Sequence, residues 1–378
     1  MNNTQPIVTP SVANMAEHSV YHRSKAAAGR GARSNMTGRF EHHSRILYDD
    51  GWESLKDTDR LKTEVTEEIA KKIITTNQSP DISFDRSINA YRGCEHGCSY
   101  CYARPTHAYM GLSPGLDFET RLFAKINAAE LLEREFSQSG YKPRTIAMGT
   151  NTDPYQPIER ERRLTRAILE VMLKYRHPVA IITKSALITR DIDILKQLAE
   201  LGLVKCAISI TTLDKTLARS MEPRACTPQK RLDAMEQLNQ AGIPCVVMTA
   251  PIIPGLNDNE IETLLGAAAN AGAKEAGYVM LRLPLEVRDL FKDWLETHVP
   301  DRASKVMSLI NSAHEGKDYD ATWGKRMRGT GPYAWSIGRR FEMAAKRLEL
   351  NRSSLKLRND LFMRPQKDLD QLNLFDAA

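Results

Sequence analysis

The sequence predicts an α/β protein built on a parallel sheet, on the strength of three observations. Six apolar, β-rich runs alternate with stretches of helical periodicity between Ile88 and Leu281. The repeat is about 35 residues over roughly 210, the length of a strand, its crossover helix and the turns between them. In a chain of 378 residues, 42% hydrophobic and 26% charged side chains are the proportions of an ordinary soluble globular protein with a sizeable core. Periodicity leaves an open doubly wound sheet and a barrel as alternatives. Both place functional residues at the carboxyl ends of the strands.

Taken in order, residues 1–60 are rich in Asn, Ser, Thr, His, Gly and Arg without lasting periodicity, and are expected to form a mostly disordered basic arm. Arg30-Gly31-Ala32-Arg33 and Arg39-Phe40-Glu41 are the pieces of it that a core or a ligand can tie down. Thr63 to Asn77 is ambiguous between a helix and β-branched strands. The strand candidates are Ile88 to Tyr91, Thr145 to Met148, Val179 to Thr183, Val204 to Ile210, Pro244 to Thr249 and Ala276 to Leu281. Helical spacing recurs in Leu164, Ile168, Met172 and Tyr175, then in Ile192, Leu195, Leu198 and Leu201. Leu232, Met235 and Leu238 mark a third helix, and Ile261, Leu264 and Leu265 a fourth. Residues 61–300 are thus expected to be the core, 301–365 a basic helical extension and 366–378 a flexible tail.

One stretch concentrates the chemistry. Arg92-Gly93-Cys94-Glu95-His96-Gly97-Cys98-Ser99-Tyr100-Cys101-Tyr102-Ala103-Arg104-Pro105 holds three of the six cysteines at the spacing C-x3-C-x2-C, with glycines that let the backbone fold tightly. Three thiolates on one loop ask for metal. Iron–sulfur clusters normally take four cysteines, so a four-iron cluster bound by Cys94, Cys98 and Cys101 keeps one iron open for chemistry. A Cys3His zinc site using His96 or His107 and a non-catalytic cluster are the alternatives.

The spacing, with Tyr100 just before the third cysteine, resembles the signature loop of the radical S-adenosylmethionine (SAM) enzymes. The resemblance implies a partial (β/α)6 TIM-type barrel, a [4Fe-4S] cluster, SAM as cosubstrate and a one-electron donor such as flavodoxin or ferredoxin. It also implies reductive cleavage of SAM to a 5'-deoxyadenosyl radical, with Tyr100 packed near the adenine. Asn89-Ala90-Tyr91-Arg92-Gly93-Cys94 through His107, and Thr183-Lys184-Ser185 through Asp191, are similar to the DNA-repair-photolyase-like group related to spore photoproduct lyase. That relationship implies lyase-like repair of a DNA lesion. In spore photoproduct lyase a cysteine after the second strand returns a hydrogen atom to the product; here that place reads Gly149-Thr150-Asn151. Cys226 and Tyr155 are the candidate donors in its stead.

The other strand ends supply the remaining candidates. Thr150 and Asn151 open a loop running through Asp153 to Glu159, whose plain reading is a polar turn capping a helix near Glu159. Lys184 and Ser185 follow the third strand, and the resemblance gives the lysine a carboxylate to neutralise. Ser209 and Thr211 share one face of the fourth strand by its period of two, where hydroxyls suit the ribose or methionine part of SAM. Met221-Glu222-Pro223-Arg224 resembles a motif of the repair branch, and Glu222 and Arg224 either pair with each other or hold ligands. After the fifth strand, Ala250 to Asp258 resembles the family's adenine-contacting turn, which implies that Ile252 and Ile253 flank the base, and Asp258 is expected to cap the next helix. Arg282 ends the sixth, pointing to a negatively charged substrate group or a salt bridge.

Charge is uneven along a chain of net +6. Residues 1–46 hold six Lys or Arg against two acids, and residues 302–364 hold fourteen against six. Basic ends around a mildly acidic middle fit an anionic partner such as DNA. If the cations at 325, 326, 328, 339 and 340 all touched duplex phosphates, the log–log salt slope of binding would be about −4.5. Gln371-Leu372-Asn373-Leu374-Phe375 looks like the peptide that docks bacterial repair proteins on the DNA sliding clamp. No run of 18 apolar residues exists and no secretory signal opens the chain. Cys206, Cys226 and Cys245 are scattered, as expected of reduced thiols in the cytoplasm. Radical modification of RNA or a peptide, and an iron–sulfur adaptor that binds DNA and clamp without turnover, are the competing functions.

Overall fold

The structure, a computed structural model, describes residues 29–41 and 61–365. Expectations for the rest, the Gln371 to Phe375 peptide included, lie outside the described residues. The strands are β1 (Glu64–Glu68), β2 (Ile74–Thr76), β3 (Arg86–Ile88), β4 (Tyr91–Arg92), β5 (Arg121–Lys125), β6 (Ile146–Met148), β7 (Val179–Thr183), β8 (Val204–Ser209), β9 (Cys245–Ile252) and β10 (Glu275–Met280). The main sheet runs β10-β9-β8-β7-β6-β3-β2. Its six strands from β3 to β10 pair in parallel, and β2 adds an antiparallel edge. This is the six-unit partial barrel. A small second sheet, β1-β5-β4, lies beside its first unit.

The expected elements formed where apolar periodicity was strong. Helices Leu164–Lys174, Ile192–Glu200, Pro228–Gln240 and Ile261–Asn270 cover the sheet, burying Ile168, Leu195, Leu238 and Leu265 against strands rich in Val and Ile. Two expectations change and one open alternative is resolved. Ile88 to Tyr91 is not one strand, because the chain turns at Asn89-Ala90 and Tyr91–Arg92 pairs with β5 instead. The ambiguous Thr63 to Asn77 stretch is two short strands. Asp258 does not cap Ile261–Asn270; its carboxylate accepts from the Gly255 N–H at 2.8 Å and the Tyr333 hydroxyl at 2.7 Å.

The barrel is unusually open inside. Ala147, Ala180, Ala207 and Gly277 line a cavity of about 1180 Å³ that extends along the strands, where bulky residues fill an ordinary barrel. Past helix Gly331–Arg347 the chain crosses the amino ends of the strands. Asn351 brackets Ala276 with bonds of 2.8 and 3.0 Å, the Arg358 N–H reaches the Gly202 carbonyl at 3.0 Å, and the Met363 N–H reaches that of Tyr175 at 2.9 Å. Among the described residues no helix is long and apolar enough to cross a membrane.

An aromatic nest of Phe136, Tyr141 and Phe362 encloses His177, which is fully buried and stacks on Phe136 at 4.5 Å. Its Nδ1–H donates to the Pro178 carbonyl at 3.0 Å, so Nε2 accepts from the Tyr141 hydroxyl at 2.7 Å. Burial, with Arg86 nearby, pulls its pKa down to about 3. The unfolded chain therefore binds a proton below about pH 6.5 that the folded chain refuses until about pH 3. His177 is expected to cost stability progressively as pH falls through that window, by about 1.4 kcal/mol per unit. Urea denaturation at pH 7, 6 and 5 checks this; an unchanged slope of stability against pH in His177→Gln would refute it.

Candidate functional site

The signature loop leaves β4 and folds back through two left-handed glycines, Gly93 (φ 74°) and Gly97 (φ 66°). Both approach their neighbours closely: a Cβ on Gly93 would lie 2.6 Å from Leu122, and one on Gly97 2.6 Å from the Glu119 carboxylate. Cys94, Cys98 and Cys101 are free thiols that line the barrel cavity. Burial raises the pKa of each; Asp153 and Cys98 push Cys94 further up, and Glu222 does the same to Cys98. Such thiols stay protonated until a metal takes the proton's place. The zinc alternative finds its histidines engaged elsewhere, His96 Nδ1 with Asp153 at 3.3 Å and His107 Nε2 with the Arg121 carbonyl at 3.0 Å. Among the described residues no three such donors converge on a single ion. Three thiols on a closely packed glycine loop, opening on a large cavity, fit a cluster with one iron free of protein.

The loop is braced from outside by residues far away in sequence. Glu119, fully buried against Arg104, accepts from the Gly31 and Ala32 N–H groups at 3.0 and 2.8 Å. Arg30 donates to the Glu119 and Leu61 carbonyls at 3.0 and 2.9 Å. A Cβ on Gly31 would sit 1.6 Å from the Gly97 carbonyl oxygen, so only glycine lets this segment lie on the loop. On the other flank the Ser99 N–H donates to the Met221 carbonyl at 2.9 Å.

At the mouth of the barrel, Asn89 shapes the loop after β6. Its side-chain carbonyl accepts from the Asn151 and Thr152 N–H groups at 2.9 and 3.2 Å, and its amide donates to the Thr150 hydroxyl at 3.1 Å. Asp153 is buried, which by itself would raise its pKa, yet His96, the Thr183 hydroxyl and the Lys184 N–H hold it down at about 2. The Lys184 ammonium donates to the Ser209 hydroxyl at 2.6 Å and the Ala250 carbonyl at 3.3 Å. Below it, Glu222 accepts from the Tyr100 hydroxyl, from Thr211 at 2.5 Å and from Arg231. Burial opposes the Glu222 charge, but Arg231 and Lys184 outweigh it and keep the pKa at about 2.

Of the residues singled out in the sequence, Cys94, Cys98, Cys101, Tyr100, Thr150, Asn151, Lys184 and Ser209 come together around this cavity. Five lie outside its wall. Ser185 accepts from the Leu187 N–H at 3.2 Å and caps a short helix. Thr211 is spent on Glu222 and Tyr100, and Ile253 is buried in the core beside Cys98. Tyr155 is in the main core with its hydroxyl unpartnered, and the Cys226 sulfur accepts from the Ala186 N–H at 3.1 Å. Glu222 and Arg224 do not pair with each other; Arg224 reaches Glu95 at 3.1 Å. Of the five basic-tail cations, Lys325, Arg326, Arg339 and Arg340 have carboxylate partners, at 2.6, 2.5, 3.2 and 2.6 Å. Sequence reasoning passed over Asn89, Arg231 and Asn257, whose side chain ties Ile253, Thr211 and Pro251 together. A polar residue beside a strand end was the available signal for Asn89 and Asn257; Arg231 left none.

Comparison with known proteins agrees with this geometry. The sequence model of the Radical SAM superfamily matches residues 88–268, from the end of β3 into the helix after β9. An uncharacterized protein of Mycobacterium tuberculosis is 37% identical over 230 residues, 60% of this chain and 68% of that one. One from Methanocaldococcus jannaschii is 30% identical over 240 residues, 64% and 85% of the two chains. Among solved structures, spore photoproduct lyase complexed with dinucleoside spore photoproduct shares the fold at a TM-score of 0.55 and 14% identity, over 75% of this chain and 79% of that one. A variant of that lyase with bound AdoMet aligns with the same score. By its loop, its barrel and these matches the chain belongs to the radical SAM superfamily, and a [4Fe-4S] cluster and SAM are its cofactors.

Proposed function

We propose that this radical SAM enzyme acts on DNA and repairs a lesion there, in the reducing cytoplasm. The observation that supports the reading most is the extent of the shared fold. It covers 75% of this chain and 79% of that one, whereas the superfamily model spans 181 residues, from 88 to 268.

Cys94, Cys98 and Cys101 would hold the cluster. When bound, it supplies the electron that cleaves SAM to a 5'-deoxyadenosyl radical, the species that takes a hydrogen atom from the substrate. The chain's own residues prepare the place for this. Lys184, its ammonium fixed by Ser209 and Ala250, offers a charge to a carboxylate, and the backbone pinned by Asn89 sets Thr150 and Asn151 at the rim. The volume of the lumen exceeds the several hundred Å³ that one ordinary ligand fills, leaving room for a second molecule.

The test is 5'-deoxyadenosine formation under reducing, anaerobic conditions with ultraviolet-irradiated DNA, untreated DNA or none. Irradiated DNA is expected to raise the rate and to lose dimers in proportion. Equal rates in all three would remove DNA repair and favour RNA or a peptide as substrate. With four of the five tail cations already paired, the salt slope of binding to duplex DNA is expected to fall well short of −4.5, at about 0.9 for each phosphate contact that is made. A slope as steep as −4.5 would show that those ion pairs open for DNA.

A further inference from the structure

The wall of the cavity on the β10 side carries an arginine that the chemistry described so far leaves idle. Arg282 follows β10 by two residues and lines the same cavity as the three thiols. Its guanidinium lies 4.8 Å from the centre of the Tyr102 ring, the residue immediately after Cys101, and the Tyr102 hydroxyl is held by the Thr150 carbonyl. One bond is made to a neighbour, from Nη2 to the Tyr319 hydroxyl at 3.3 Å. Nε is buried without a partner. A guanidinium has five N–H donors, so among the described residues most of this one's donors are unspent.

Nor, among the described residues, does a carboxylate neutralise it. Asp81, the acid whose charge Arg282 influences, is committed to the Gly324 N–H at 2.7 Å and to Arg326 at 2.5 Å. Three other cations in the cavity wall have an acid beside them: Lys184 has Glu222 at 3.9 Å, Lys205 has Glu275 at 3.4 Å and Arg352 has Glu349 at 3.0 Å. Arg328 resembles Arg282 instead. It lies 5.4 Å from the centre of the Tyr278 ring, on the same wall, and no carboxylate pairs with it among the described residues. Stacking on an aromatic face orients a guanidinium and leaves its edge, the fork that matches an oxyanion, free.

We propose that Arg282 anchors a negatively charged group of the substrate, a phosphate, and that Arg328 makes a second anion contact farther along the β10 wall. Lys184, which follows β7 three strands away from β10, is left for the carboxylate of SAM. The choice of phosphate over carboxylate rests on the nucleic-acid reading above; the presence of an anion site does not. Since Tyr102, the neighbour of Cys101, holds Arg282 beside the cysteine loop, a phosphate bound there puts the adjoining nucleoside at the cluster end of the lumen.

Fluorescence anisotropy of a labelled single-stranded thymidine oligonucleotide, with anaerobic full-length holoprotein, measures the contact. Arg282→Gln is expected to weaken binding tenfold or more, as loss of a charge-assisted fork does. Arg282→Lys should lose less, and Arg328→Gln only a few-fold. Circular dichroism melts identify any variant that is merely unfolded, and the lysine variant then carries the comparison. An oligonucleotide with neutral methylphosphonate linkages should bind wild type weakly and gain nothing further from Arg282. Should the oligonucleotide bind Arg282→Gln as tightly as wild type, the anchor is refuted while the nucleic-acid reading stands. If wild type ignores the oligonucleotide but binds thymidine 5'-monophosphate through Arg282, the anchor stands with a small phosphate ester as its ligand, and the DNA reading falls. Binding of neither probe overturns the proposal.

Discussion

Cys98→Ala is expected to abolish 5'-deoxyadenosine formation, by at least a hundredfold, and to lower iron and sulfide well below four per chain after reconstitution. Three thiols meet at the cavity, and removing one leaves two sulfur ligands for a cluster that normally takes four cysteines. The substitution removes one small buried atom, so the barrel should still fold, and melting curves of the two apoproteins should nearly coincide. Iron and sulfide analysis, with chromatography of the reaction mixture, reads both effects. Undiminished cleavage of SAM by Cys98→Ala would overturn the assignment of the three cysteines, whereas Cys245→Ala, in the core away from the cavity, should retain it.

The second large effect is on stability. Arg231 is 1% exposed and spends its guanidinium on the Cys226 and Ser209 carbonyls, at 2.9 and 3.0 Å, and on Glu222, itself 2% exposed. Glu222→Ala strands that cation in the core, and an uncompensated buried charge of this kind costs about 3–5 kcal/mol. Replacing both partners, as Glu222→Leu with Arg231→Met, should recover a large part of the loss, because two apolar side chains leave no charge to solvate. Urea denaturation of wild type, Glu222→Leu, Arg231→Met and the double variant closes the cycle. If the double variant is as unstable as the two single losses added together, the pair is not a unit. Tyr100 and Thr211 also lose an acceptor in Glu222→Ala, so SAM affinity should fall with stability, and the double variant should not restore it.

The barrel was legible in the sequence because its strands are continuous apolar runs and its helices amphipathic, patterns that need only neighbours along the chain. The metal loop was legible for the same reason, since C-x3-C-x2-C with Gly93 and Gly97 is a local signal. What escaped was whatever depends on distance in sequence. Ile88 to Tyr91 reads as one strand, yet Asn89 breaks it by bonding to residues 151 and 152. Glu222 beside Arg224 invites a local pairing, but burial gave the carboxylate to Arg231, nine residues on, and Arg224 to Glu95. The basic extension read as a phosphate surface from composition, and four of the five cations singled out there turned out to be paired with acids, two of these on distant parts of the fold. Ser185 and Thr211 sit at strand ends as anticipated, with their hydroxyls committed to a helix cap and to Glu222.

The bracing of the cysteine loop has a consequence for biosynthesis. Its outer side rests on residues 30–32, made beforehand, but its inner side is secured by Met221 and Glu222, more than 120 positions downstream. At 5–20 residues per second a ribosome needs on the order of 10 s to cover that interval. Throughout it the Ser99 amide lacks its acceptor and the Tyr100 phenol its carboxylate. The nest for iron is thus unfinished on the nascent chain, and loading a completed nest belongs to the period after Glu222 has emerged.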